Sequence, residues 1–310
     1  MQFISLLLIR FIQTIFVIWV VVTIVFVVAR IFGNPEAALL PPFDTTEADY
    51  EKVRERLGID KPLYTQYGIF LKDAVQGDLG YSFIRAGSAI DIVADKILPT
   101  VKLTAAGLVV AIGLGIPLGI LAALTRGSPY DWLARLIAVF GQATPSFWLG
   151  LMLIFFLAVR VDWFPTAGSE GFRALVLPAV SLGLLSAAGF MRLTRSGMID
   201  VMNTDFIRTA RAKGLNERTV IVRHALRHAM IPVATILGLE LGTLIAGSVI
   251  IEVVFSWPGL GRLMIESILK DDFPTVQAGV AVIALSIAMG NLLVDISYRF
   301  IDPRIQAAEL

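Results

Sequence analysis

Two histidines, His224 and His228, stand four residues apart, the spacing of the zinc ligands in H-E-x-x-H metalloproteases. The glutamate that this motif needs after its first histidine is replaced by Ala225, and the surrounding side chains are basic and would repel a cation. The chain has no cysteine, so disulfides, thiol catalysis and thiolate metal sites are excluded. We therefore expect no catalytic residue and no metal site.

An acidic residue, Glu240, lies well inside an apolar run, where an ionised carboxylate is costly. Two interpretations are open. The carboxyl group is neutral or hydrogen-bonded to another helix, or it faces a wetted pathway and meets the amino group of a substrate. On the second interpretation Thr243 and Ser248, in the same run, join Glu240 as candidate residues of a translocation pathway.

The longest polar interruption in the second half of the chain is residues 205–232, here called the basic segment. Asn203 or Thr204 can cap a short helix that Gly214 ends in a left-handed turn, and Asn216 can cap a second helix. Two short helices at an angle, flanked by apolar runs, predict a surface that docks a partner. The candidate docking residues are Asp205, Phe206, Ile207, Arg208, Thr209, Ala210, Arg211, Lys213 and Gly214.

The composition predicts the elements that must hold these residues. With 310 residues, 56% of them hydrophobic, and a mean hydropathy of +0.78, the chain is too apolar for an ordinary soluble domain. The net charge of +1 gives no reason to expect a nucleic-acid partner. We expect an all-α integral membrane protein in contact with lipid. Its six predicted spans are 11–29, 99–125, 132–160, 174–197, 231–255 and 277–301.

Four parts follow from this pattern: a first transmembrane helix (1–32), a small helical insertion (33–98), a five-helix core (99–301) with a cytoplasmic loop at 198–230, and a tail (302–310). In the insertion, one helix should end at Gly58 and a second should run from Pro62 to Gly77. Gly115 and Gly119 predict close helix packing, and Thr144 followed by Pro145 predicts a kink.

Basic residues set the predicted orientation. Eight of them lie between Arg192 and Arg227, and others flank the connection at 126–135 and follow the last span. This places the basic segment and both termini in the cytoplasm. The insertion and the loop at 256–276 then face outward.

Four motifs carry a resemblance to a known family. RTARAKG at 208–214 resembles the EAA-type loop of permease subunits in bacterial ABC importers, in the branch that handles dipeptides, oligopeptides, glutathione and nickel. GDLGYSF at 77–83, FSWPGLGRL at 255–263 and the Asp302-Pro303-Arg304 tail are similar to that branch as well. One departure is Gly33-Asn34-Pro35, where the family usually has G-D-P.

The resemblance implies a type I ABC importer permease in the bacterial inner membrane, a transport subunit rather than an enzyme. By it, the chain forms half of a translocation pathway with a homologous second permease. It pairs with two cytoplasmic ATPase subunits, identical or different, and with an extracytoplasmic substrate-binding protein. The family's loop inserts into a groove of the ATPase, and ATP and Mg²⁺ sit on that partner. The cargo expected first is a dipeptide or oligopeptide, with glutathione, a nickel chelate or an opine-like conjugate as alternatives.

Two other classes remain as distant alternatives. No Gly-Lys dipeptide occurs, so the chain has no Walker A loop and cannot bind ATP by that device. An ion-coupled secondary transporter predicts inverted repeats and several intramembrane ionisable groups, whereas we see no clear repeat and essentially one mid-span acid. A membrane-embedded enzyme needs a nucleophile or metal constellation, and neither G-x-S-x-G nor H-E-x-x-H is present.

The loop around Trp257, Pro258, Gly259 and Gly261 is predicted to make a tight turn just outside the fifth span. One interpretation is an ordinary turn in which Trp257 anchors at the membrane interface. The other is a loop that reaches into the binding protein's cleft or plugs the outer mouth of the pathway.

Overall fold

Helices make up almost all of the architecture. The computed structural model describes residues 2–32, 51, 54, 58 and 60–301, with side chains left out at 2–11, 32, 235, 238–239, 241–243 and 291–301. The α-helices are α1 Gln2–Phe32, α2 Leu63–Val75, α3 Ala89–Leu124, α4 Pro129–Ala143, α5 Ser146–Leu153, α6 Gly171–Met202, α7 Asp205–Ala212, α8 Glu217–Thr219, α9 Leu226–Val254, α10 Leu260–Leu269 and α11 Phe273–Ile301. Two π-helical segments, Ile154–Arg160 and Val220–Ala225, follow α5 and α8, and the strands β1 Tyr81–Ser82 and β2 Gly87–Ser88 form one antiparallel hairpin.

The chain divides into two units. The first comprises Met1–Thr100 and Pro258–Ala288. In it α2 packs on α1 through aromatic rings, since Phe26 lies 5.1 Å from Phe70 and 5.3 Å from Tyr67 between ring centroids. The hydroxyl groups of Thr23 and Tyr67 are 2.6 Å apart. The predicted second helix of the insertion is thus confirmed, and Gly77 after it has a φ of +85°.

The hairpin of the first unit is held by a buried acid, Asp272. The Asp272 carboxylate accepts hydrogen bonds from the hydroxyls of Ser82 (2.7 Å) and Thr275 (2.8 Å). Arg85, in the hairpin turn, donates to Glu266 of α10 at 3.2 Å. Because a buried carboxylate needs such partners, these bonds attach the hairpin to the connection between α10 and α11.

The second unit comprises Val101–Trp257 and Met289–Leu310. In this unit, helices α3 and α6 approach each other closely at glycine residues of α3. A Cβ added to Gly115 would lie 2.6 Å from the Ala187 carbonyl oxygen, and one added to Gly119 would lie 2.7 Å from the Met191 carbonyl oxygen. The predicted close packing of these glycines is confirmed, because α6 leaves no room for a side chain there.

Four helices are long and apolar enough to cross a membrane in the described part of the chain: 12–31 of α1, α3, α6 and 273–290 of α11. A fifth is added if α4 and the following α5 segment, bent by 105°, count as one broken span. The bend confirms the kink predicted at Thr144 and Pro145. α3 starts at Ala89, ahead of the predicted 99, and it continues through Pro117. The count of six spans remains a prediction.

Candidate functional site

The predicted short helix of the basic segment is present as α7. It ends before Gly214, which adopts a φ of +78° as predicted. Asn216 caps α8 by accepting a hydrogen bond from the Thr219 amide at 2.8 Å, also as predicted. Thr204 does occupy the N-cap position of α7, but the predicted capping hydrogen bond is absent. The Thr204 hydroxyl instead donates to the Val201 carbonyl at 2.6 Å.

The apolar face of α7 packs against its own chain. Ile207 is 0% exposed and Ala210 is buried, and both lie in a cluster with Met198 and Val220. Phe206 is 41% exposed, with its ring centroid 5.0 Å from that of His228. The expectation that this whole face awaits a partner is therefore wrong for Ile207 and Ala210, since the chain already covers them.

The charges of α7 are largely matched within the segment. Arg208 lies 3.0 Å from Asp205, and Arg211 donates to both carboxylate oxygens of Glu217 at 2.6 and 3.2 Å. The hydrogen bonds from Arg211 hold the pKa of Glu217 below its ordinary value and raise that of Arg211. Among the described residues Lys213 has no ion-pair partner, and it is exposed. A partner would therefore meet a surface whose cations Arg208 and Arg211 are already paired.

The π-helical segment Val220–Ala225 joins α8 to α9. Val220 and Ala225 are buried against the same cluster as Ile207, so the segment is part of the packing that supports α7. A π-turn accommodates an extra residue in an otherwise helical path and is common at functional sites. No sequence pattern used above distinguishes it from an α-helix.

A buried ion pair joins α4 to α6. The Arg195 guanidinium donates to the Asp131 carboxylate at 2.7 and 3.0 Å, and the Gly127 amide donates to the same carboxylate at 3.0 Å. Asp131 is 1% exposed. Sequence analysis missed this pair, and the only signal was an acid next to a predicted span.

The pathway candidates separate into three cases. Glu240 is partly buried, and its carboxylate accepts a hydrogen bond from the Ser186 hydroxyl of α6. Thr243 lies where side chains are not described. Ser248 is buried and donates to the Ile245 carbonyl at 2.7 Å, and its assignment to the pathway stays a prediction.

A second acid of α9, Glu252, was overlooked. Its side chain is 0% exposed and lies 3.5 Å from the Ser248 hydroxyl. Because Glu252 lies two residues from the end of α9, Glu240 remains the mid-span acid of this helix. The signal was available, because Glu252 interrupts the apolar run 249–255.

The turn after α9 occupies residues 255–259, with a φ of +50° at Ser256. Trp257 is 4% exposed and lies in the hydrophobic cluster of the second unit with Phe255 and Leu177. The interfacial anchor proposed for Trp257 is therefore wrong. Pro258 is half-buried, Gly259 and Gly261 are buried, and the Leu260 amide donates to the Thr100 hydroxyl at 2.8 Å. Entry of this loop into a binding protein stays a prediction.

No group of three or more histidine, cysteine or carboxylate side chains within the described ranges is placed to hold a metal ion. His228 contacts Phe206 through its ring, as noted above.

Comparisons with known proteins cover nearly the whole chain. Residues 115–307 match the family described as "Binding-protein-dependent transport system inner membrane component", and residues 3–104 match the N-terminal family of such membrane components. The chain is 40% identical over 289 residues to the glutathione transport system permease protein GsiC of Escherichia coli O6:H1, covering 93% of this chain and 94% of that protein. It is also 39% identical to GsiC of Shigella dysenteriae serotype 1, again over 289 residues that cover 93% of this chain and 94% of that protein.

Solved structures support the fold. An inward-facing MetNI methionine ABC transporter chain aligns with a TM-score of 0.59 at 18% identity, over 68% of this chain and 96% of that one. A chain of an amino acid ABC transporter aligns with a TM-score of 0.51 at 19% identity, over 67% and 94%. The long α6, packed against α3 and joined to α4, thus belongs to a known permease architecture. From these matches, this chain belongs to the inner membrane component family of binding-protein-dependent transport systems, as a permease subunit of an ABC importer.

Proposed function

We propose that this permease subunit carries small peptides, with glutathione as the first candidate. The observation that carries the proposal is the 40% identity to a glutathione transport system permease over 93% of the chain. Dipeptides and oligopeptides are the second candidate, because the motifs at 77–83 and 208–214 resemble the branch that handles them.

Glu240 is proposed as the pathway residue that recognises this cargo. Peptides and glutathione carry an ammonium group at neutral pH. A carboxylate within the membrane is stabilised by charge-assisted hydrogen bonds, and the Glu240 carboxylate already accepts one hydrogen bond from the Ser186 hydroxyl. Contact with the cargo ammonium group during passage would add a charge-assisted hydrogen bond to this carboxylate.

The exposed side of the basic segment is proposed as the contact with the ATPase. Phe206 and Leu215 are exposed apolar residues beside the exposed cation Lys213. A contiguous apolar patch rimmed by polar residues is typical of a protein contact, and these two residues are proposed to contribute to one. ATP and Mg²⁺ would bind the partner, and this segment would transmit its movement to α9 through Val220–Ala225.

The assembly follows from the same proposal. A homologous second permease, two ATPase subunits and an extracytoplasmic binding protein complete the importer. Residues 1–32, 33–98, 99–301 and 302–310 serve as first span, outer insertion, core and cytoplasmic tail, with both termini in the cytoplasm.

The test is to identify the ligand that copurifies with the partner binding protein and then to measure transport. The complete importer, reconstituted in liposomes, should hydrolyse ATP faster with glutathione-loaded binding protein than with dipeptide-loaded binding protein. It should also accumulate labelled glutathione. Stimulation by dipeptides alone would establish the second candidate, and stimulation by neither would refute the peptide assignment.

A further inference from the structure

Arg30, near the end of the span 12–31, is a cation whose environment is incomplete. Its Nε atom is buried and has no hydrogen-bond partner among the described residues. Its guanidinium carbon lies 5.4 Å from the centroid of the Phe26 ring, which stabilises the charge only weakly. A guanidinium group whose Nε–H is buried without a hydrogen bond favours an anionic partner, because an unpaired buried donor is costly.

The space beside Arg30 is a cavity of about 370 Å³ within the first unit. Its lining includes a second cation, Lys61, and the buried amide side chain of Gln277. It also includes Asp73 and Asp78, and Asp78 already accepts a hydrogen bond from the Gly80 amide at 2.9 Å. The cavity is therefore lined by two cations and by a second carboxylate, that of Asp73. This combination suits a ligand that has both an acidic group and an ammonium group.

The surface next to this cavity is apolar. Ile31, the residue after Arg30, is exposed, as is Val28 one turn earlier, and Ile69 is both exposed and part of the lining. Only 17% of the apolar window of α1 is buried within the chain, so most of this helix is free to contact acyl chains. A residue at the end of a span lies at the depth of lipid headgroups. A lipid fits both the polar cavity and its apolar border, whereas a soluble zwitterion would use only the cavity.

We propose that this cavity binds the headgroup of a phospholipid that carries a primary ammonium. The phosphate group lies toward Arg30 and Lys61, the ammonium group lies toward Asp73, and the acyl chains follow the exposed face of α1. Glu240 is not among the residues that line this cavity, and the proposal does not depend on the identity of the cargo.

The test is native mass spectrometry of the full-length protein released from nanodiscs. The discs contain equal amounts of phosphatidylethanolamine, phosphatidylglycerol and phosphatidylcholine with identical acyl chains. The native protein should retain phosphatidylethanolamine in preference, and Arg30→Met should reduce that retention about tenfold, the expected effect of losing one charge-assisted hydrogen bond. Lys270→Met removes an exposed cation that does not line the cavity and should change nothing.

Two further variants sharpen the result. Lys61→Met removes the second cation from the exposed end of the cavity lining, so it tests the phosphate contact even if Arg30→Met does not fold. Asp73→Asn should leave phosphate binding in place but abolish the preference for phosphatidylethanolamine over phosphatidylglycerol. Together, loss of retention in the cation variants and loss of preference in Asp73→Asn would support the proposal.

Three outcomes would overturn it. The first is unchanged retention in both folded cation variants. The second is equal retention of the three lipids by the native protein. The third is displacement of the lipid by glycerophosphoethanolamine, the same headgroup without acyl chains, at concentrations equal to those of the lipid, since this would identify the ligand as a soluble zwitterion.

Discussion

The Arg195 guanidinium group donates two hydrogen bonds to the Asp131 carboxylate, at 2.7 and 3.0 Å. The pair joins α4 to the half of α6 that is predicted to lie toward the cytoplasm. The two ends of the pair are not equally exposed, because the Asp131 side chain is 2% exposed and the Arg195 side chain 22%.

This asymmetry predicts unequal mutational costs. Arg195→Met leaves the buried carboxylate with the Gly127 amide and the more distant, exposed Arg135 at 3.5 Å. Asp131→Asn, in contrast, keeps an acceptor for Gly127 and leaves Arg195 some access to water. We expect losses of about 3 kcal/mol for Arg195→Met and about 1 kcal/mol for Asp131→Asn. Thermal unfolding in detergent measures both, with Arg173→Met as a matched control on an exposed arginine of the same helix. Equal losses would contradict the argument.

Topology can be tested without background labelling, because the chain has no cysteine. A cysteine in place of the exposed Arg218 should react with a membrane-impermeant maleimide only from the cytoplasmic side. A cysteine in place of Tyr64, which is 79% exposed on α2, should react only from outside. Labelling of both from one side would rule out the predicted orientation.

Gly214 should matter through backbone geometry alone. No atom lies within 4 Å of a Cβ added there, and its φ is +78°. Gly214→Val should therefore strain the turn by about 1–2 kcal/mol, and loaded binding protein should no longer stimulate ATP hydrolysis. In Gly214→Asn this stimulation should remain, because asparagine tolerates the left-handed conformation. ATPase assays of the reconstituted importer compare the two. If both variants respond normally to loaded binding protein, the turn does not transmit coupling.

Glu240→Gln should alter cargo selection rather than assembly. Glutamine can still accept the hydrogen bond from Ser186, so the unfolding temperature should change little, while uptake of substrates with a free ammonium group should fall relative to N-acetylated analogues. A lowered unfolding temperature with an unchanged substrate profile would make Glu240 a packing residue.

The ion pairs of Glu266 predict a pH dependence. Burial raises the pKa of Glu266, but hydrogen bonds from Arg262 and Arg85 outweigh it, so the net pKa lies below the ordinary value. The pairs therefore stabilise the fold above the unfolded-state pKa, and their contribution is lost as pH falls through the lowered folded-state pKa. Glu266→Gln should cost less than about 1 kcal/mol at pH 7, because these side chains are partly exposed, and the difference from the native protein should vanish in acid. A difference that grows in acid would have the wrong sign.

Local chemistry explains which features were predictable. The turns at Gly77 and Gly214, the Asn216 cap and the bend at Pro145 depend on residues adjacent in sequence, and each was correctly anticipated. The burial of Ile207, the Asp131–Arg195 pair and the enclosure of Trp257 depend on elements that are distant in sequence, so periodicity could not reveal them. The π-helical segments are seven and six residues long, too short to show a residue spacing of their own.

The 105° break between α4 and α5 has a consequence for the lipid boundary of the importer. In a continuous helix residue 145 would supply an amide hydrogen to the Gly141 carbonyl, but Pro145 has none. The Phe140 carbonyl, by contrast, accepts from both the amide and the hydroxyl of Thr144, at 3.0 and 2.7 Å. Hydrocarbon offers no donor, so a carbonyl freed in this way requires protein or water. We therefore expect protein or water, rather than the acyl chains around the assembled importer, to lie against the Gly141 carbonyl.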